Sequence, residues 1–205
     1  MSETVELVRE AVRSIRGELS ERPQADAVVE ALLALEKQSK RDRELLEFDR
    51  LLGTWRLGFV TGTQKSRQRA GVVLGAGRYL PRWLEIRLTY SQGDRRDGEP
   101  TPEWDAGRVE NSVKVGGLRF TLTGPVKFVE RNRLLAFDFT RATVQVFGRT
   151  LFEGYVRNGK ERDRCFYDTP VKQQAFFKYF WVGDTGLGAR GRGGGLAIWS
   201  QVLED

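Results

Sequence analysis

The sequence predicts a mainly β protein: an antiparallel β-barrel of roughly 8–10 strands with an N-terminal α-helical segment. Three observations predict it. Apolar residues recur at steps of three and four up to residue 52, and at steps of two from residue 53 onward. Gly53-Thr54-Trp55 opens the alternating part, and Ala-Arg-Gly-Arg-Gly-Gly-Gly at 189–195 runs into a last strand, Leu196-Ala197-Ile198-Trp199. The 23 glycines, several of them clustered, suit many tight turns better than long helices. A Gly-x-Trp on a first strand and an arginine beside the last can seal one end of a small closed barrel. A closed barrel of this size is a natural cup for an apolar molecule.

Residues 1–52 read as a helical region that packs on the barrel. Val5, Val8, Val12, Ile15 and Leu19 form one stripe, which Gly17 weakens and Arg22-Pro23 breaks. A second stripe carries Val28, Val29, Leu32, Leu33 and Leu35. After the polar link 39–43, a third short helix holds Leu45, Leu46, Phe48, Leu51 and Leu52, with Gly53 placed to stop it. The polar faces mix Glu with Arg. That favours packing over a membrane-binding amphipathic helix, although the helices are also the natural contact for a protein partner.

Residues 53–205 read as the barrel. Trp55, Leu57 and Phe59 alternate with polar or small neighbours. So do Leu84 to Tyr90, Val109 to Val115, Leu118 to Leu122 and Leu135 to Phe139. Val144 and Val146, Phe152 and Tyr155, Phe177, Tyr179 and Trp181, and Leu196 and Ile198 continue the series. Gly116-Gly117 is a two-residue hairpin signal, and Gly124-Pro125 and Arg131-Asn132 read as further turns. Ser91 to Pro102 is a polar interruption with the character of a lid. Gln64 to Arg69 reads as a basic loop ahead of the weak apolar run Val72-Val73-Leu74.

Composition narrows the chemistry. With 205 residues, 40% hydrophobic and 30% charged, the chain suits one domain of ordinary globular make-up. It holds no histidine, which removes Ser-His-Asp and Cys-His nucleophiles and the usual zinc sites. No segment supplies a P-loop; Gly71 to Gly77 lacks the helix and downstream acid of a nucleotide loop. Asp138 and Glu153 are carboxylates that nothing in the spacing joins. The single cysteine, Cys165, fits a reducing compartment, and its neighbour Arg164 leaves a reactive thiolate conceivable. No apolar run is long enough to span a bilayer, and Met1-Ser2-Glu3-Thr4 has no signal-peptide core. This reads as a cytoplasmic chain, at most peripheral to a membrane, with no catalytic residues, no metal and no obligatory cofactor.

The net charge of +6 permits contact with an anionic membrane surface or nucleic acid. The arginines are spread along the whole chain, and the Arg190 to Gly195 stretch resembles a single RGG segment, so nucleic acid is the weaker partner reading. The candidate ligand-binding residues are Trp55, Leu57, Phe59, Asn111, Phe120, Phe137, Phe139, Phe177, Tyr179, Trp181 and Arg190. Trp55 shares a face with Leu57 and Phe59, so its ring is expected to point inward. Arg190 or Arg192 can then lie over the indole and close the barrel floor. Asn111 is the odd polar residue on an apolar strand face, so its amide needs backbone or ligand partners. The remaining aromatics can wall a pocket or simply fill a core.

Leu52-Gly53-Thr54-Trp55-Arg56-Leu57, Gly107 to Val113 with Phe120 and the Leu135 to Phe139 strand, and Trp181 to Trp199 with Arg190-Gly191 and Gly194 carry a resemblance. In these blocks the chain resembles the plastid lipid-associated protein (fibrillin) family, as a cyanobacterial-type member. It departs at Gly186-Leu187-Gly188, where that family commonly carries an acidic stretch and Leu-Arg-Ile. The resemblance implies a lipocalin-like barrel that binds a lipid or isoprenoid such as a quinone or carotenoid, without catalysis. It also implies association with thylakoid membranes or lipid globules, and a role in photoprotection. Two other readings stand beside it: a lipocalin-shaped pigment (bilin) lyase or chaperone, and a basic protein- or nucleic-acid-binding scaffold.

Overall fold

The computed structural model describes residues 2–42, 45–62, 77–93 and 104–203. The basic loop 64–69, the run 72–74 and most of the polar interruption, 94–102, lie outside the described residues. Along the chain come α1 (Glu3–Arg16), α2 (Ala25–Ser39), β1 (Gly53–Thr61), β2 (Gly77–Tyr79), β3 (Glu85–Gln92), β4 (Asp105–Val115), β5 (Leu118–Val129) and β6 (Leu134–Phe137). Then follow β7 (Arg141–Val146), β8 (Arg149–Tyr155), α3 (Gly159–Arg164), β9 (Ala175–Val182), β10 (Gly186–Gly191) and β11 (Leu196–Gln201).

The strand order is β4-β3-β1-β11-β10-β9-β6-β5, and β5 pairs back with β4. Eight antiparallel strands therefore close on themselves as a lipocalin-like barrel, as the alternation predicts. β2 attaches to β1, while β7 and β8 continue from β5 outside the eight-strand circuit. The chain divides into two compact units. One comprises residues 1–44, 55–81 and 177–205; the other comprises 45–54 and 82–176.

The first unit joins the two helices to β1, β2 and β9–β11. α1 ends where Gly17 takes φ 86, its N–H bonding to the carbonyls of Arg13 and Ser14. Leu19 therefore lies beyond the helix rather than on its stripe. Val8, Ala11, Val12 and Ile15 of α1 and Val28, Val29, Leu32 and Leu35 of α2 form one buried cluster with Phe59, Phe180, Leu196 and Ile198. The stripes are thus covered by protein, as their mixed polar faces predict.

β1 is not regular. Leu57 pairs with Trp199 but Phe59 pairs with Ile198, so one extra residue, Gly58, sits in the strand. Trp199 and Ile198 are consecutive and point to opposite faces, so the bulge turns Phe59 away from Trp55 and Leu57. Gly58 is required there: a Cβ would stand 2.3 Å from Cγ2 of Ile15 on α1. β9 repeats the device. Trp181 pairs with Gly188 and Tyr179 with Ala189, which leaves Phe180 as the extra residue and sends Trp181 to the opposite face from Tyr179. Both corrections have the same cause: a bulge breaks the period of two on which the shared face depends.

The second unit is built on the long β4–β5 hairpin, paired from Asp105↔Phe128 to Val115↔Leu118 around Gly116-Gly117. The turn is where the sequence predicts it. Gly124-Pro125 is not a turn, however; β5 runs through it. The glycine is needed for close approach, since a Cβ at position 124 would lie 1.8 Å from the Asp138 carbonyl oxygen. The predicted third helix is a single 3-10 turn at Phe48–Leu51, with the Phe48 ring stacked 5.8 Å from that of Phe128. α3 and the loop after it, which no periodicity marks, are fastened by a buried lysine. Lys127 Nζ donates to the carbonyls of Phe166 (3.4 Å), Tyr167 (3.2 Å) and Thr169 (2.6 Å). Burial holds the Lys127 ammonium below the usual lysine range.

Candidate apolar binding cleft

Paired residues of β5, β7 and β8 share a face: Phe120 stands opposite Val144, and Val144 opposite Phe152. Two residues along, Leu122 stands opposite Ala142. Those side chains, with Phe137, Phe139 and Val156, line a cleft of about 530 Å³. Such a volume suits a small-molecule site, typically about 300–1,000 Å³. The Phe137 and Phe139 rings lie 5.3 Å apart at its wall. Phe120 remains 39% exposed and Phe152 46%, so the fold leaves part of this aromatic surface uncovered. A β5–β7 ladder in which the apolar pairs Phe120–Val144 and Leu122–Ala142 flank a Thr121–Thr143 pair builds that wall, and the close approach of Gly124 to the Asp138 carbonyl brings the next residue, Phe139, to it.

One end of the cleft is polar. Asp138 receives both Nε (2.8 Å) and Nη2 of Arg162, a bidentate pair. The third guanidinium nitrogen, Nη1, donates to the Arg157 carbonyl at 3.2 Å. α3 is positioned for this by Asp163, which accepts from Thr140 Oγ1 at 3.0 Å and from Arg108 Nη1 at 3.3 Å. Arg157 stands exposed at the rim. With Asp138 neutralised by Arg162, the charge left at this end is positive.

The sequence candidates do not form one site. Phe120, Phe137 and Phe139 meet at the cleft. Asn111, half-buried on β4, stands opposite Leu122 and Leu88 but outside the lining. Phe177 and Tyr179 lie in the first unit on the Trp199 face, with Phe177 5.3 Å and Tyr179 6.4 Å from the Trp199 ring. Trp55 and Leu57 pair with Gln201 and Trp199 on that same face. Phe59 and Trp181 are on the helix-covered face, packed on the cluster described above.

Arg190 is on the helix-covered face as well, which corrects its reading as a lid over Trp55. Arg190 pairs with Leu196 and Lys178, one strand position away from the Ala189 that shares the Tyr179 face. Its guanidinium grips Glu36 of α2, Nε to Oε1 at 2.8 Å and Nη2 to Oε2 at 2.5 Å, and Nη1 donates to the Gly194 carbonyl at 2.6 Å. That pairing holds the Glu36 carboxyl below its usual range, against the opposing effect of burial.

The other groups singled out in the sequence are engaged with partners of their own. Glu153 pairs with Arg141 and Asp138 with Arg162, so the two carboxylates are held apart by separate partners. Cys165 is exposed and donates to Glu161 Oε1 at 3.3 Å. The neighbouring carboxylate pushes the thiol up, away from a reactive thiolate. Among the described residues no cluster of acidic, cysteine or histidine side chains suits a metal ion, and no helix is long and apolar enough to cross a membrane.

Phe152, Val156, Arg157 and Arg162 are cleft residues that sequence reasoning passes over. Phe152 is legible as a strand residue in register with Val144. The arginines are not: Arg162 lies on α3, which carries no apolar period, and Arg157 lies in the turn before it. The chain matches no family model, no curated protein and no solved structure.

Proposed function

We propose that this protein is a non-catalytic binder of an elongated apolar small molecule, a lipid or an isoprenoid such as a quinone or carotenoid. The observation that carries the reading is the 530 Å³ cleft, walled by Phe120, Phe137, Phe139 and Phe152 and left open by the fold. Burying a ligand's apolar area there yields roughly 25 cal/mol per Å² before association costs are subtracted. The exposed Arg157 at the polar end suits an amphiphile whose head carries oxygen or negative charge. The cleft joins β7 and β8, strands off the closed circuit, to Phe120, Leu122 and Phe137 on β5 and β6 of the circuit itself. The resemblance to the plastid lipid-associated family supports the same ligand class, and with it a place beside thylakoid membranes or lipid globules and a part in photoprotection.

The test is organic extraction and native mass spectrometry of the purified protein, followed by titration with a quinone and a carotenoid. The expected result is uptake of at least one, weakened about tenfold by Phe120→Ser, a half-exposed position whose loss leaves the fold intact. No co-purifying apolar molecule together with no uptake of either probe would remove the proposal. A bilin that shifts its absorbance and passes to an acceptor protein would replace it with the lyase reading.

A further inference from the structure

The tips of the β4–β5 and β7–β8 hairpins lie side by side in the second unit. The Phe147 N–H donates to the Gly117 carbonyl at 2.7 Å, and the Phe147 ring lies where a Cβ on Gly117 would be, within 2.5 Å. Yet that ring is 87% exposed. It is joined by exposed Val115 and Leu118 of the neighbouring tip and by Leu151, which is 69% exposed at the β8 bulge. Phe147 also has φ 47, ahead of Gly148 at φ 80. Two successive positive φ angles make the tight hairpin turn that asparagine and glycine favour; a phenylalanine there is strained. An aromatic held in a costly conformation, without burial to offset it, is a feature that folding does not require.

The charges on the two turns themselves have one sign. Lys114, Arg119 and Arg149 flank the two turns, and the segments 114–119 and 146–149 contain no acidic residue. Further along the ladder Glu85, opposite Lys114, faces Arg87 at 3.4 Å, and Glu85 and Glu110 share a surface with Arg87, Lys114 and Arg119, where the cations outnumber them. We infer that the paired hairpin tips dock this protein on an anionic phospholipid surface, with Phe147, Leu118 and Leu151 entering the interface and the three cations at headgroup level. Protruding apolar side chains ringed by long basic ones match the layered chemistry of a bilayer edge, apolar beneath and negative above. This surface is distinct from the cleft and stands without it.

Flotation with phosphatidylcholine vesicles, with and without phosphatidylglycerol, tests the inference. The protein is expected to float with the anionic vesicles and not with the neutral ones. Phe147→Asn is the discriminating variant. Asparagine suits the left-handed turn, so the thermal midpoint is expected to hold or rise, while vesicle partitioning falls about tenfold for loss of one interfacial aromatic. Arg119→Gln with Arg149→Gln is expected to remove the preference for anionic lipid. No flotation, flotation unchanged by F147N, or a dimer that F147N converts to monomer would each overturn the inference; the last would make the knob a contact between copies. Ligand uptake in vesicle-free solution is expected to be the same for F147N and the parent, so failure of the cleft reading and failure of this one are read separately.

Discussion

Glu36 and Arg190 are 154 residues apart, and their pairing shows what a single strand position decides. Arg190 is readable from the sequence as a barrel-end arginine, and it does secure an end: its Nη1 holds the Gly194 carbonyl of the β10–β11 turn. Its charge partner is not readable, because the parity of β10 depends on pairings formed far away. Glu36 is buried, and removing its charge leaves a half-buried guanidinium without its counter-ion. Glu36→Gln is therefore expected to destabilise the protein by about 1.5–3 kcal/mol, measured by denaturant unfolding at neutral pH. The pH dependence has a definite sign. The folded-state pKa of Glu36 lies below its unfolded value, so its contribution is complete above the unfolded pKa and is lost as pH falls through the folded one. The stability gap between wild type and E36Q should close on acidification. A gap independent of pH would mean that the pair acts through packing alone.

At the scale of elements, alternation located most strands and misplaced two faces. β3, β4, the Gly116-Gly117 hairpin, β7 and β11 follow from the period of two and turn chemistry, which are local. Bulges are not local. Gly58 reads as one more small residue between Leu57 and Phe59 until α1 is seen to lie against it. β10 is not legible in the sequence, because Gly186, Gly188 and Gly191 give it no alternating pattern; it is a strand because β9 and β11 pair it on both sides. The bulge supplies a direct test of how α1 is seated. Gly58→Val forces Ile15 aside and is expected to cost about 1–3 kcal/mol. Ile15→Ala opens a void there, and the double variant should recover part of the loss, a coupling of at least about 0.5 kcal/mol in a double-mutant cycle. Strictly additive effects would mean that Ile15 does not define the bulge.

At the scale of the whole molecule, the sequence divides at residue 52 while the contacts do not. The helices share a unit with β1, β2 and β9–β11, so that unit is assembled from both ends of the chain around an intervening 82–176. Phe59, Phe180, Leu196 and Ile198 are each buried to 5% exposure or less in the cluster that α1 and α2 complete. Uncovering four such side chains forfeits roughly 2 kcal/mol apiece, about 8 kcal/mol together, against a total stability of about 5–15 kcal/mol for a domain. A protein beginning at residue 45 is therefore expected to lose cooperative thermal unfolding and to bind a hydrophobic dye strongly, although every residue of the alternating region is present. Adding a peptide of residues 1–44 in trans should restore a sigmoidal transition, since the stripes of α1 and α2 are the surface that these four side chains pack on. A fragment that melts at the parent's midpoint without the peptide would show that the strands hold themselves, and that the helices are an attachment rather than part of the core.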